Sequence, residues 1–107
     1  MRLLLDECLP IDLAGALSGH EVRTARQMRW LGIQNGRLLK LIAESGAFDG
    51  FVTVDKNLPH QQNLARLPFA VVVLRVPSTR VRDVLALVPE LLRRLPEARP
   101  GQALVVA

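Results

Sequence analysis

The chain has little of what characterises secreted or membrane proteins. Cys8 is the only cysteine, which excludes an internal disulfide and fits a reducing cytoplasm. No run of about 18 apolar residues is present, so no membrane-spanning helix is predicted. Asp6 and Glu7 interrupt the N-terminal apolar run too early for a signal peptide. We therefore expect a cytoplasmic protein without a membrane partner.

Aromatic residues are scarce, at 4% of a chain that is 50% hydrophobic, and leucine, valine and alanine supply most of the apolar content. The 107 residues are enough for one domain, predicted to span residues 1–107, and no linker or low-complexity run divides them. The net charge is +4, and only Lys40 and Lys56 among the basic residues are lysines. An arginine excess favours an acidic or nucleic-acid partner, and a GC-rich genome explains it equally well.

Apolar runs alternate with segments of helical periodicity along the whole chain. The predicted strands cover residues 2–5, 21–24, 50–54, 69–74 and 103–106. The predicted helices begin at Pro10, at Asn35 as N-cap, near Asn57 with an end at Arg66, and at Pro77, with Pro89 as a break in the last one. This order predicts an α/β fold, a three-layer α/β/α sandwich around a mostly parallel sheet of four to five strands.

Acidic residues follow the first and third predicted strands. Asp6 and Glu7 come directly after Leu3-Leu4-Leu5, and Asp55 follows the third strand. In a doubly wound sheet the first strand usually lies beside the third, and ligands bind at the carboxyl ends of the strands. We therefore expect Asp6 and Asp55 to lie close together.

Three converging carboxylates would repel one another, and a hard divalent cation would relieve that repulsion. Asp6, Glu7 and Asp55 are therefore candidate metal ligands and catalytic residues, with Asn57 as a neutral oxygen ligand. Mg²⁺ or Mn²⁺ at such a site can activate water and neutralise charge on a phosphodiester. The alternative is that Glu7 is an ordinary exposed residue and that Asp55 caps the following helix.

Three segments resemble the small PIN-like proteins of bacteria, which are related to VapC-type toxins. The segments are residues 1–10 (MRLLLDECLP), 19–22 (GHEV) and 51–58 (FVTVDKNL), and the resemblance covers roughly the first three-quarters of the chain. It implies a PIN-like α/β/α sandwich, metal-dependent ribonuclease activity and, often, a neighbouring antitoxin protein. Asp6 matches the metal-ligand aspartate of the first strand, Glu7 the acid that follows it, and Asp55 the later aspartate.

The chain departs from that family pattern at three places. Cys8 stands where asparagine is common, residues 35–37 (NGR) stand where many members have an acid, and Asn57 stands where many have a further aspartate. The acidic set is thus thinned, and Arg37 brings a positive charge to a position where a ligand is expected. Lys56, Arg37 and Gln62 are candidate substrate-binding residues, with exposed surface roles as the alternative.

The expected function is that of a toxin–antitoxin ribonuclease, hydrolysing RNA with a metal-activated water. One alternative is a catalytically degenerate PIN-like module that acts through a protein partner, either an antitoxin or a second copy of the chain in a homodimer. A further alternative is a receiver-like phosphoacceptor. It is disfavoured because a receiver needs a hydroxyl residue after the fourth strand and a lysine after the fifth, where this chain has Leu74-Arg75 and Val105-Val106-Ala107.

Overall fold

The computed structural model describes residues 1–107 and is built on a five-stranded, entirely parallel sheet. The strands are β1 Arg2–Leu5, β2 Glu21–Thr24, β3 Gly50–Thr53, β4 Ala70–Leu74 and β5 Ala103–Val106. Their order across the sheet is β2-β1-β3-β4-β5. The predicted pairing of the first and third strands is confirmed, and Leu5 lies opposite Val52. The carboxyl ends of β1 and β3 therefore meet at one edge of the sheet.

Helices cover both faces of this sheet and complete a three-layer α/β/α sandwich. The helices are α1 Asp12–Ala16, α2 Asn35–Ser45, α3 Leu58–Gln61, α4 Val81–Leu85 and α5 Val88–Arg94, with a 3₁₀ turn at Leu95–Glu97. None of them is long and apolar enough to cross a membrane.

Alternating strand residues divide the core into two clusters, one on each face. Leu3, Leu5 and Val52 face α1, α4 and α5, whereas Leu4 and Phe51 face α2 and α3. Strands β3 and β4 are buried along their whole length. This double coverage explains why their sequences are almost continuously apolar.

Two predictions about helix ends have different outcomes. The break at Pro89 is confirmed, because α4 ends at Leu85 and Pro89 occupies the first turn of α5, where its missing N–H is not needed. The prediction that the third helix reaches Arg66 is wrong, since it ends at Gln61. Gln62 has an extended backbone, and the side chain of Asn63 accepts a hydrogen bond from the Ala65 N–H, which favours a turn over a helix.

Candidate functional site

Thr53 joins the two acidic strand ends. It is the last residue of β3, and the exposed fraction of its side chain is 0%. No other polar or charged side chain of the protein is buried. Its hydroxyl donates to Asp6 Oδ2 at 2.7 Å and accepts the Asp55 N–H at 3.1 Å. The residues after β1 and β3 are therefore tied together through one buried hydroxyl, and this connection defines the candidate site.

Asp55 is held from two further directions. The side-chain amide of Asn35 donates to Asp55 Oδ2 at 2.9 Å, and the backbone N–H of Asn57 donates to Asp55 Oδ1 at 3.0 Å. The Asn57 contact is an Asx turn that leads into α3. Asn57 thus contacts Asp55 through its main-chain N–H, whereas the prediction from the sequence concerned its side-chain oxygen as a metal ligand.

Asn35 has a different role from the one its sequence position predicts. The N-cap of α2 is Gln34, and no side chain caps the helix, so the N-cap prediction for Asn35 is wrong. The Asn35 side-chain amide instead donates to the Asp55 carboxylate, a charged acceptor that forms stronger hydrogen bonds than a neutral one. This contact brings the N-terminus of α2 to the carboxyl ends of β1 and β3, where Asp6 and Asp55 form what we call the acidic edge of the sheet.

Glu7 is held by a different part of the chain. Its two carboxylate oxygens accept the backbone N–H of Gly32, at 3.1 and 3.3 Å. Gly32 lies in the loop between β2 and α2, which Trp30 anchors by an edge-to-face contact with Phe48 at a centroid distance of 6.3 Å. Glu7 therefore fastens a loop, while Asp6 faces Thr53.

The arrangement of oxygens restricts the kind of metal site that the residues can form. No three or more His, Cys, Asp or Glu side chains are grouped to share a metal ion. All four carboxylate oxygens of Asp6 and Asp55 accept one hydrogen bond each. A carboxylate oxygen has two lone pairs, so each retains one acceptor site. Two carboxylates with free acceptor sites are the ligands that a hydrated Mg²⁺ or Mn²⁺ would use, and they do not form a cage of protein ligands.

The three candidate substrate-binding residues lie around this edge, and no hydrogen bond or ion pair joins them to one another. Arg37 is exposed in the first turn of α2. Gln62 is half-buried beside Gly36, where an added Cβ would lie 3.4 Å from Gln62 Oε1. Lys56 is exposed and lines a cleft of about 420 Å³ next to the acidic edge.

Cys8 follows the acidic pair and has a weakly acidic thiol. The residue is exposed as a whole, yet its sulfur is partly enclosed. This partial burial, together with the negative charge of Asp6, raises the pKa of the Cys8 thiol to about 11. Because the thiolate is the nucleophile, Cys8 is unsuited to nucleophilic catalysis near neutral pH.

A larger cleft of about 570 Å³ opens at the opposite edge of the sheet. Its lining includes Arg2 and Glu21, the first residues of β1 and β2. Arg2 is already paired with Asp49 at 3.1 Å. This cleft lies at the amino ends of the strands, away from Asp6 and Asp55, so it is not part of the candidate site.

Sequence reasoning missed two residues of the site region. The sequence indicated Asn35 as a helix cap and as a residue at a position where many PIN-like proteins have an acid. It did not indicate the contact with Asp55, which depends on how α2 returns to the sheet. Arg75 follows β4 and lines the 420 Å³ cleft together with Lys56. The signal that identifies Arg75 is its place directly after a buried strand, the same signal that identified Asp6.

Comparisons with known proteins add no relative to this description, since no protein-family model, curated protein or solved structure matches the chain.

Proposed function

We propose that the chain is a PIN-like ribonuclease of the toxin–antitoxin type, dependent on Mg²⁺ or Mn²⁺. The observation that carries the proposal is the junction of Asp6 and Asp55 through the buried hydroxyl of Thr53, at the carboxyl ends of adjacent parallel strands. This is the edge at which open α/β sheets bind their ligands. The resemblance of the sequence around both acids to PIN-like proteins supports RNA as the substrate.

In this proposal Asp6 and Asp55 hold the cation. Thr53 and Asn35 orient the two carboxylates, each by donating a hydrogen bond to one oxygen. When bound, the cation supplies activation of water and neutralisation of charge on the phosphodiester. Glu7 keeps the loop at Gly32 in place, so its contribution to activity is positional.

A cleavage assay with matched variants tests the nuclease proposal. Purified protein is incubated with structured RNA and Mn²⁺, beside Asp6→Asn, Asp55→Asn and the control Asp12→Asn, which removes an exposed carboxylate from the first turn of α1. We expect cleavage by the wild type and the control and none by the two site variants. Equal cleavage by all four proteins, or none by the wild type at high protein concentration, contradicts the proposal.

The second candidate function is a PIN-like binding module without catalysis, which acts through an antitoxin or through a second copy of the chain. Its support is the diversion of Glu7 to Gly32, which leaves two carboxylates rather than three at the site. Titration calorimetry with Mn²⁺ separates the two functions. Heat that disappears in Asp55→Asn supports the enzyme, whereas no heat and no thermal shift in the wild type support the module.

The toxin–antitoxin part of the proposal has its own test. The cognate antitoxin is proposed from the family resemblance. The cytoplasmic location is proposed because a single free cysteine is typical of proteins from a reducing compartment. We expect a gene for a small helical DNA-binding protein immediately upstream, and we expect that protein to co-purify with this chain. Co-expression that yields no complex contradicts the antitoxin part and leaves the cleavage assay unaffected.

A further inference from the structure

A cationic cleft lies between the carboxyl ends of β3 and β4. Its volume is about 420 Å³, within the range of small-ligand sites. The lining residues are Val54, Lys56, Leu74, Arg75, Val76 and Pro77. Lys56 follows Asp55 directly, so the cleft adjoins the site that Asp6 and Asp55 form.

Positive charge dominates this cleft. Lys56 and Arg75 are its only charged lining residues, and both are exposed. The chain has three ion pairs, Arg2–Asp49, Arg93–Glu90 and Arg94–Glu97, and neither Lys56 nor Arg75 belongs to any of them. Two cations without a carboxylate partner favour an anionic ligand, and the guanidinium of arginine matches phosphate oxygens bidentately.

The floor of the cleft is apolar and well anchored. Leu74 has an exposed fraction of 2%, and Val54 and Val76 pack against the core cluster. The backbone N–H of Arg75 donates to the Val106 carbonyl at 2.8 Å, which fixes the base of the Arg75 side chain. A ligand with both an anionic group and an apolar surface matches this combination, and a nucleotide has both.

We propose that this cleft binds one phosphate and the adjoining nucleoside of a single-stranded RNA, with Lys56 and Arg75 as its phosphate-binding residues. The inference rests on the proposed function, since it places the RNA strand beside the scissile position. The volume of the cleft is sufficient for about one nucleotide. Binding then depends on salt, because each phosphate that a cation neutralises releases counterions.

The test measures binding in EDTA, so that no cleavage takes place. Fluorescence anisotropy follows a labelled single-stranded RNA of 12 nucleotides over a range of salt concentrations. The cleft variants are Lys56→Gln and Arg75→Gln. Their matched controls are Lys40→Gln on α2 and Arg82→Gln on α4, both exposed and outside every ion pair. All of these side chains are on the surface, so we expect unchanged thermal midpoints.

Each cleft variant is expected to weaken binding several-fold and to reduce the slope of log Kobs against log salt by about 0.7, the value for one phosphate of a single strand. The controls keep the wild-type slope. Wild-type slopes in both cleft variants, or no binding by the wild type at any salt concentration, overturn the proposal. So does a poly-glutamate peptide of equal charge that competes as well as RNA, because the cleft then recognises acidic peptides.

The outcomes also separate this proposal from the nuclease proposal. If the salt-dependence slope falls only in the cleft variants and the wild type never cleaves RNA, the RNA-binding cleft is supported and the nuclease proposal is contradicted. Cleavage that is lost in Asp6→Asn but normal in both cleft variants, with unchanged binding slopes, supports the nuclease and overturns the cleft.

Discussion

Thr53 carries the connection between the two acidic strand ends. A buried hydroxyl is favourable only when its hydrogen bonds are made, and this one donates to Asp6 and accepts from Asp55. Its position was readable in the sequence as the residue two before Asp55. The contact between Thr53 and Asp6 could not be predicted, because the two side chains meet only when β1 and β3 pair.

Two substitutions of Thr53 distinguish the contribution of its hydroxyl to stability from the contribution of its side-chain volume. In Thr53→Val the Asp55 N–H loses its acceptor, and we expect the free energy of unfolding to fall by about 1–3 kcal/mol. Thr53→Ser keeps the hydroxyl and loses one buried methyl group, at about 1 kcal/mol. Urea denaturation measures both, and a valine variant more stable than the serine variant contradicts the role given to the hydroxyl.

The raised pKa of Cys8 predicts slow alkylation. Burial comes first among its causes and the charge of Asp6 second, so Asp6→Asn removes only part of the shift. At pH 8 we expect iodoacetamide to react roughly a hundredfold more slowly with native Cys8 than with the unfolded chain, and several-fold faster in Asp6→Asn than in the wild type. Mass spectrometry follows the rates, with Asp12→Asn as the control. Equal rates in the wild type and Asp6→Asn contradict the influence of the Asp6 charge.

At the scale of elements, the two edge strands of the sheet are partly blocked by side chains. The Gln27 side chain accepts the Thr24 N–H on β2, and Arg94 donates to the Val105 carbonyl on β5. Both groups belong to edge strands, whose open hydrogen-bonding groups invite pairing with other chains. These contacts limit strand addition at both edges of the sheet.

An ion pair between Arg2 and Asp49 joins the start of β1 to the residue before β3, and its strength depends on pH. Hydrogen bonds from Arg2, then its charge, lower the pKa of Asp49. A lowered pKa in the folded state means that the stabilisation is present above the ordinary value of about 3.8 and is lost as the pH falls through the folded value.

We expect Asp49→Asn to lower the free energy of unfolding at pH 7 by less than about 1 kcal/mol, because the pair is partly exposed and screened by solvent. The difference from the wild type shrinks as the pH falls below about 4. Denaturation at several pH values measures it, with Glu44→Gln as a control that removes an unpaired exposed charge from α2. A difference that stays constant down to pH 2 contradicts the linkage.

At the scale of the whole molecule, one parallel sheet lies between both core clusters, so we expect the two faces to unfold together. Trp30 reports on the face of α2, while Leu13 of α1 is fully buried on the other. Leu13→Ala is expected to lower the free energy of unfolding by about 2–5 kcal/mol. Trp30 fluorescence and circular dichroism are expected to shift equally, and a fluorescence midpoint that does not move would show independent faces.

The order of the elements and the all-apolar strands could be derived from the sequence, because periodicity and the positions of proline and glycine act over neighbouring residues. The boundaries at Gln61 and Asn35 could not. At the first boundary the Asn63 side chain accepts a hydrogen bond from the Ala65 N–H, and at the second the Asn35 amide donates to Asp55.

The same division holds for the acidic edge. By itself the sequence determined that acids follow two buried strands, and the usual neighbourhood of first and third strands was enough to expect Asp6 near Asp55. Only the tertiary structure decided that Thr53 joins them, that Glu7 turns to Gly32, and that Arg75 and Lys56 line the same cleft. The physical reason is range: local preferences place a residue at a strand end, whereas strand register and loop paths determine which side chains meet there.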